Sequence, residues 1–130
     1  MTSGGGCLCG AVRYTILSAP RFVCVCHCES CRRAAGAPMV AWATFEKEYL
    51  NLPRAGVHRV ASSAGVLRGH CPRCGTSLTY ENSKRPGEID VTLASMDDPA
   101  AFTPSAHIWV LEKLPWVTLA DGLRQYDKTP

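Results

Sequence analysis

Eight cysteines are the residues of this sequence with the clearest capacity for chemistry. They form three groups, which read C-L-C at residues 7–9, C-V-C-H-C-E-S-C at residues 24–31 and C-P-R-C-G at residues 71–75. Cysteine thiolates bind zinc, act as nucleophiles and form redox centres. In the third group, proline follows the first cysteine and glycine follows the second. This pattern predicts a tight turn that aims both sulfurs at one metal ion, because glycine permits a positive φ.

The turn at residues 71–75 supplies only two of the four ligands that a structural zinc ion requires. From spacing alone, two other pairs are eligible as the missing ligands: Cys7 with Cys9, and Cys28 with Cys31. The first choice leaves a three-thiolate site with an open position, formed by Cys26, Cys28 and Cys31. The second choice gives a zinc ribbon and leaves Cys7, Cys9, Cys24 and Cys26. A closed four-thiolate site is structural, whereas a three-ligand site with an open position can bind a substrate.

The composition is that of a folded globular protein. The 130 residues are 46% hydrophobic and 19% charged, which suits a single domain over residues 1–130. No apolar run approaches the roughly 18 residues of a membrane span, and the N-terminus lacks the basic and apolar regions of a secretory signal. We therefore expect a cytoplasmic protein, in which eight cysteines act as metal ligands or catalytic thiols rather than disulfides.

The formal net charge of +3 is a weak indication of a polyanionic partner. Seven thiolates on two zinc ions would add about three negative charges and cancel it. The densest basic cluster is only Arg32 with Arg33. The sequence therefore favours neither nucleic acid nor a membrane as a partner.

Short strands at close spacing, separated by turn signals, predict a mainly β architecture. The predicted strands are Val12–Ile16, Phe22–Cys26, Met39–Phe45, Val57–Ser62, Val66–His70, Ser77–Glu81, Glu88–Ala94, His107–Leu111 and Val117–Leu119. A turn or two of helix is expected in S-C-R-R-A-A-G-A-P, ended by its glycine and proline. Residues 4–6 are expected to be a flexible lead-in and residues 84–87 a hairpin loop, and the segment at residues 121–130 is expected to end in a loose tail.

Five segments together resemble the glutathione-dependent formaldehyde-activating enzyme family, also called the centromere protein V/Gfa domain. They read G-G-G-C-L-C-G-A-V-R-Y, C-H-C-E-S-C-R-R-A-A-G-A-P, H-C-P-R-C-G-T-S-L, H-I-W-V-L-E-K-L-P-W and D-G-L-R-Q-Y. The resemblance runs from about Gly5 to Tyr126. It implies a β-tent of small antiparallel sheets with short helical turns. It also implies two Zn²⁺ per chain, a structural ion on Cys7, Cys9, Cys71 and Cys74 and an active-site ion on Cys26, Cys28 and Cys31.

The activity that the resemblance implies is that of a zinc-dependent carbon–sulfur lyase. It would join glutathione or another small thiol to formaldehyde or another small aldehyde, with the thiol sulfur or, alternatively, the aldehyde oxygen at the open zinc position. The alternative is a non-catalytic binding module with two structural zinc sites. In that case Cys24, which shares a strand face with Cys26 and Cys28, closes the second site. A thiol oxidoreductase would require a reactive, metal-free Cys24.

Five further side chains have both a functional and a structural interpretation. In a strand the His27 side chain points away from the metal, as a surface residue or as a support for the site. His107, which matches a histidine of the family, is either a general acid/base or a structural residue. Arg32 and Arg33 either bind a glutathione carboxylate or are solvated. Trp42 belongs to the core or to the wall of the substrate pocket.

Overall fold

The computed structural model describes residues 3–53 and 56–130 of the chain. Within these residues the protein is mainly β, as the sequence predicts, with one α-helix, α1 (Glu29–Ala35), and several short 3₁₀ turns. The eleven strands described are β1 (Ser3–Gly6), β2 (Arg13–Ile16), β3 (Phe22–Cys26), β4 (Val40–Glu46), β5 (Leu50–Asn51), β6 (His58–Ser63), β7 (Val66–His70), β8 (Ser77–Asn82), β9 (Glu88–Thr92), β10 (Ala106–Ile108) and β11 (Arg124–Gln125). No helix in these two ranges has the length and apolar character that crossing a membrane requires.

The strands form two sheets. A small sheet has the order β1-β2-β5, and an eight-stranded sheet has the order β11-β10-β3-β4-β9-β8-β7-β6. Most neighbours are antiparallel, and the predicted loop at residues 84–87 connects β8 to β9 as a hairpin. The exceptions are at one edge, where β10 runs parallel to both β3 and β11. Local sequence patterns do not predict this parallel pairing, because parallel strands are joined through long connections.

The two faces of the eight-stranded sheet carry different side chains. Residues that pair across neighbouring strands point to the same face. The pairing register therefore places one row of side chains on a common face, which we call the cysteine face: Cys24, Trp42, Thr44, Asp90, Tyr80 and Arg68. The opposite face packs against the small sheet. The core there is apolar and includes Tyr14, Ile16, Val23, Ala43, Phe45 and Val91.

The glycine-rich segment at residues 4–6 is strand β1, so the expected flexible lead-in is wrong. Gly4, Gly5 and Gly6 pair antiparallel with β2. A Cβ on Gly5 would lie 2.5 Å from the carbonyl oxygen of Ser95 and would collide with the Tyr14 hydroxyl. Glycine is required here because two layers of backbone and side chain approach closely, not because the chain must be flexible.

The C-terminal segment is bound to the sheet as far as Lys128, so the expectation of a loose tail is wrong up to that residue. Strand β11 pairs with β10, and the backbone N–H groups of Trp109 and Val110 donate to the carbonyl oxygens of Lys128 and Tyr126 at 2.8 and 3.0 Å. Residues 117–119, which the sequence predicts as a strand, do not form a strand.

Candidate metal centres

Four of the eight cysteines converge into one group, which we call the four-cysteine cluster. Its members are Cys7, Cys9, Cys71 and Cys74, and their sulfurs all lie within 4.8 Å of one another. The sulfur of Cys9 lies 3.6 Å from that of Cys7 and 3.9 Å from that of Cys71. Tetrahedral zinc with bonds of about 2.3 Å holds its sulfur ligands roughly 3.8 Å apart. The donor set and its spacing therefore fit a structural zinc ion.

Two tight turns position the four-cysteine cluster. The backbone N–H groups of Arg73 and Cys74 point at the Cys71 sulfur, at 3.4 and 3.5 Å. Gly75 has φ +81°, the left-handed conformation that the sequence predicts for this turn. On the other side, the N–H of Val12 donates to the Cys7 sulfur at 3.2 Å. Such N–H groups stabilise sulfurs as thiolates, which is the form that binds metal.

A second group, the three-cysteine cluster, consists of Cys26, Cys28 and Cys31, whose sulfurs also lie within 4.8 Å of one another. Cys26 ends β3, and Cys28 is the N-cap residue of α1. The Cys28 sulfur accepts a hydrogen bond from the N–H of Cys31 at 3.3 Å. A strand end and the first turn of a helix thus bring three sulfurs of a six-residue segment to one point.

Cys24 lies on the same strand face as Cys26 but is not a member of the three-cysteine cluster. Among the described residues, no fourth cysteine, histidine or carboxylate shares the 4.8 Å spacing of these three sulfurs. Cys24 is only 4% exposed and packs with Val40 and Trp42. Burial raises the pKa of its thiol to about 12. These surroundings suit a small apolar side chain rather than a thiolate ligand.

The thiols of both clusters are arranged to share protons. Hydrogen bonds from Cys26 and Cys31 lower the pKa of Cys28 to about 2, whereas the same contact raises the pKa of Cys26. In the four-cysteine cluster, the hydrogen bond with Thr76 is the largest cause of a Cys74 pKa of about 5. Each cluster thus has at least one sulfur that favours the anionic form. This is the behaviour of a donor set that is built for a divalent cation.

Arg68 contacts the three-cysteine cluster, although sequence reasoning did not identify it. Its Nη1 and Nη2 atoms lie 3.8 and 3.7 Å from the Cys31 sulfur. The guanidinium stacks on the Tyr80 ring at 4.9 Å, and the Tyr80 ring lies 6.0 Å from the ring of Trp42. Trp42, predicted as a core or pocket residue, is 5% exposed and packs against the cluster. No sequence motif marks Arg68, because only the strand register brings it here.

The two predicted histidines form a buried chain on the other side of β3. Register pairs His107 with Val25, which points away from the cysteine face. Nε2 of His27 lies 2.9 Å from Nδ1 of His107, and Nε2 of His107 lies 2.7 Å from Oδ2 of Asp121. His27 is 0% exposed, so a surface position for it is excluded. The structure thus places His107 away from the three sulfurs, and its role as an acid/base stays a prediction.

The predicted arginines occupy different surroundings. Nε of Arg32 donates to the carbonyl oxygen of His27 at 3.3 Å, and Arg32 lines a surface pocket of about 370 Å³ with Leu114 and Trp116. Arg33 lines the same pocket, but its side chain is 79% exposed and pairs with Glu29 at 2.9 Å. Arg32 is therefore tied to the backbone of the segment that carries the three-cysteine cluster, whereas Arg33 lies largely in solvent.

Comparisons with known proteins agree with this picture. The chain is 36% identical over 92 residues to an uncharacterized lyase of Schizosaccharomyces pombe (strain 972), a match that covers 68% of this chain and 66% of the relative. The match thus spans just under two thirds of that relative's length. A crystal structure of a Rhodobacter sphaeroides protein, a structural genomics target, superimposes with a TM-score of 0.59 at 20% identity. It covers 97% of this chain and 99% of its own, and it supports the fold alone.

The sequence pattern of the family described as glutathione-dependent formaldehyde-activating enzyme matches residues 2–112, which is most of the chain. Both cysteine clusters lie within the matched segment. This chain belongs to the glutathione-dependent formaldehyde-activating enzyme family.

Proposed function

We propose that this protein is a zinc-dependent carbon–sulfur lyase that joins a small thiol, such as glutathione, to formaldehyde or another small aldehyde, and catalyses the reverse cleavage. The observation that carries the proposal is the contrast between the clusters: four sulfurs converge in one, and three in the other. A four-thiolate set is complete for structural zinc, whereas three protein ligands are the pattern of zinc sites that bind a substrate. Family membership and the lyase relative support the reaction class.

The four-cysteine cluster holds the fold together in this proposal. It joins the loop between β1 and β2 to the turn after β7, which are more than sixty residues apart in sequence. Metal binding at such a site contributes directly to folding, because the unfolded chain has no preformed site. The three-cysteine cluster is then free to serve chemistry. Its three sulfurs come from one short segment, so the site can bind and release a ligand without separating the sheets.

A zinc ion on Cys26, Cys28 and Cys31 would supply a fourth position for a substrate sulfur and favour its thiolate form at neutral pH. In the addition, a sulfur lone pair forms the bond to the carbonyl carbon. The π electrons of the carbonyl move to its oxygen, which then takes a proton from water, and the proton that the thiol released neutralises the hydroxide so formed. The overall change is thiol plus aldehyde to a hydroxyalkyl thioether, and cleavage runs through the same steps in reverse.

The protein's own contribution is to exclude water and to orient the thiol. Trp42 lies in the same buried apolar cluster as Cys26 and Cys31, and the rings of Phe22, Tyr80 and Trp109 pack against that cluster. Ring faces of this kind exclude water and strengthen electrostatic contacts near the sulfurs. Arg32, which follows Cys31 in sequence, lines a surface pocket where a carboxylate of glutathione can pair with it. The proposal also places the protein in the cytoplasm, since none of the eight cysteines forms a disulfide and reducing surroundings keep thiolates available for zinc.

The reaction can be tested by exchange NMR with zinc-loaded protein, glutathione and ¹³C-labelled formaldehyde. The measured quantity is the rate of exchange between free aldehyde and the thiol adduct, compared with the same mixture without protein. We expect the protein to accelerate this exchange. An unchanged exchange rate, with both zinc sites loaded, would contradict the lyase and favour the non-catalytic binding module.

The chain offers a matched pair of variants for this assay. Cys24→Ala and Cys26→Ala remove the same group from neighbouring positions of β3 that share a face and are both buried. We expect Cys26→Ala to lose the acceleration and Cys24→Ala to retain most of it, because only Cys26 belongs to the three-cysteine cluster. Equal loss in both variants would indicate that Cys24 serves the site as a fourth ligand.

A further inference from the structure

Arg68 reaches the three-cysteine cluster from a distant strand. It lies on β7, which is separated from β3 by three strands of the same sheet, and its two terminal nitrogens lie 3.7 and 3.8 Å from the sulfur of Cys31 on α1. N–H groups at this distance from sulfur are weak hydrogen-bond donors when the sulfur is a thiol and stronger ones when it is a thiolate. The contact therefore gains strength when the cluster carries negative charge.

The position of this guanidinium is fixed by its neighbours. Arg68 pairs directly with Tyr80 on β8, and its guanidinium carbon lies 4.9 Å from the centre of the Tyr80 ring. The hydroxyl of Tyr80 is held in turn by Nδ2 of Asn82 at 3.1 Å. Stacking on an aromatic face holds a guanidinium in place while leaving its N–H edge free to donate. Arg68 is thus oriented before any ligand arrives.

Arg68 brings a positive charge that lies within ion-pair distance of no carboxylate among residues 3–53 and 56–130. The neighbouring cation, Arg85, also lies over the Tyr80 ring at 6.0 Å, but it pairs with Asp90 at 2.7 Å and with Glu88 at 3.1 Å. None of the ion pairs of the described residues includes Arg68. Its charge therefore acts on the three-cysteine cluster itself.

The charge balance points to the kind of ligand that this site accepts. Three thiolates and one divalent cation leave about one negative charge, which a fourth anionic ligand would double. The guanidinium cancels the net negative charge of the three thiolates with their cation, and so permits a fourth ligand that is itself negative. We propose that Arg68 is the anion-binding residue of the three-cysteine site, where it holds the substrate sulfur as a thiolate and then stabilises the oxygen that becomes negative when this thiolate adds to the aldehyde. This inference rests on the proposed function.

The Arg68 guanidinium can serve both thiolate binding and stabilisation of the oxygen, because the negative charge moves only a short distance between the two. The sulfur lone pair forms the sulfur–carbon bond, and the π electrons of the carbonyl become a lone pair on oxygen, two bonds from the sulfur. Five N–H donors on a planar guanidinium can contact both positions without moving the side chain. The oxygen finally takes a proton from water, the proton lost by the thiol neutralises the resulting hydroxide, and the guanidinium is unchanged.

Thiolate binding to protein loaded with Co²⁺ tests this inference without any turnover. Charge transfer between sulfur and cobalt absorbs light, and the four-cysteine cluster gives a constant background. The probe is 2-mercaptoethanol, whose only charge when bound is its thiolate. Arg68→Met and Arg68→Gln each remove the charge, so one of them can be used if the other fails to fold. Arg124→Met is the control, because Arg124 also stacks on a tyrosine, Tyr126, at 5.6 Å but on edge strand β11.

We expect the dissociation constant of 2-mercaptoethanol to rise roughly ten- to a hundred-fold in the neutral Arg68 variants and to stay unchanged in Arg124→Met, as for loss of one hydrogen bond to a charged group. An equal dissociation constant in wild-type and Arg68 variants would overturn the inference. Weaker binding of glutathione alone, with unchanged binding of 2-mercaptoethanol, would overturn it too, because Arg68 would then serve a carboxylate. A loss with 2-mercaptoethanol in a protein that does not accelerate adduct exchange would support thiolate binding by Arg68 and overturn only the proposed reaction.

Discussion

Nε2 of His27 lies 2.9 Å from Nδ1 of His107, and this contact joins the middle residue of the C-H-C segment to strand β10. Oδ2 of Asp121 lies 2.7 Å from the other ring nitrogen of His107. The backbone N–H of His27 also donates to the carbonyl oxygen of Ile108 at 3.0 Å. Together these contacts fix the segment that carries Cys26 and Cys28 from its side opposite the sulfurs.

The first prediction is that His107→Ala loosens the three-cysteine cluster more than the four-cysteine cluster. The substitution removes a 2% exposed ring and leaves His27 without this partner, which we expect to destabilise the fold by about 2–3 kcal/mol. Chelator competition should show faster zinc release from the three-cysteine cluster of the variant than from that of the wild type. His58→Ala, on edge strand β6 with its ring 5.0 Å from that of His70, is the control and should leave zinc release from the three-cysteine cluster unchanged. Equal release rates in the His107 variant and the wild type would contradict this prediction.

The second prediction concerns metal content. Purified protein should carry two zinc ions per chain, because both clusters have the donor set and spacing for one. Cys71→Ser should abolish cooperative unfolding, since the fully buried Cys71 joins turns from two sheets. Cys28→Ser should retain one zinc ion and most of the fold. Metal analysis together with thermal unfolding by circular dichroism tests both variants. Equal collapse of the two variants, or one zinc ion in the wild type, would refute the assignment of one structural and one open site.

The sequence predicts the cysteine turns well because their information is local. A proline and a glycine at fixed positions around Cys71 and Cys74 require a turn that any fold would preserve. The alternation of side chains along β3 likewise predicts that His27 points away from the sulfurs of its neighbours. What alternation does not predict is the burial of that ring against His107, because a parallel strand from eighty residues later supplies the partner.

The contacts that the sequence does not predict all depend on strand order. Arg68 lies 37 residues from Cys31 in sequence, and nothing in V-L-R-G-H distinguishes it from a solvated arginine. Its position follows from the pairing of β7 with β8, which places it beside Tyr80 on the cysteine face. The G-G-G segment is a similar case. Its composition is typical of a flexible lead-in, and only the tight packing against Tyr14 shows why glycine forms a strand there.

The third prediction follows from that packing. Gly5→Ala should destabilise the protein by more than 2 kcal/mol, because the new Cβ would lie 2.5 Å from the Ser95 carbonyl oxygen and against the Tyr14 hydroxyl. Gly56→Ala is the control, since a Cβ on Gly56 meets no atom of residues 3–53 and 56–130 within 4 Å and Gly56 is not among the glycines with positive φ. Urea unfolding of the zinc-loaded proteins measures both effects. A Gly5 variant as stable as the Gly56 variant would show that β1 can move away from β2.

The fourth prediction concerns the acid side of the stability curve. Burial alone would raise the pKa of Glu81, but hydrogen bonds from Lys47 and Arg59 outweigh it, and the pKa lies below its ordinary value of 4.5. Oε1 of Glu81 is 2.9 Å from Nζ of Lys47, and Oε2 is 3.0 Å from Nε of Arg59. A lowered folded-state pKa means that the ionised carboxylate stabilises the fold above the unfolded-state pKa. This contribution is lost as the pH falls from about 4.5 through the folded-state value.

Glu81→Gln should therefore cost about 1–2 kcal/mol at pH 7, and this difference from the wild type should shrink as the pH falls below about 4.5. Zinc release in acid affects both proteins alike, so the quantity to compare is the difference in free energy of unfolding between them at each pH. Glu48→Gln makes the same charge change at an exposed position of the turn after β4 and should give a small difference at every pH. A Glu81→Gln difference that stayed constant between pH 7 and pH 3.5 would mean that the carboxylate charge does not contribute to stability.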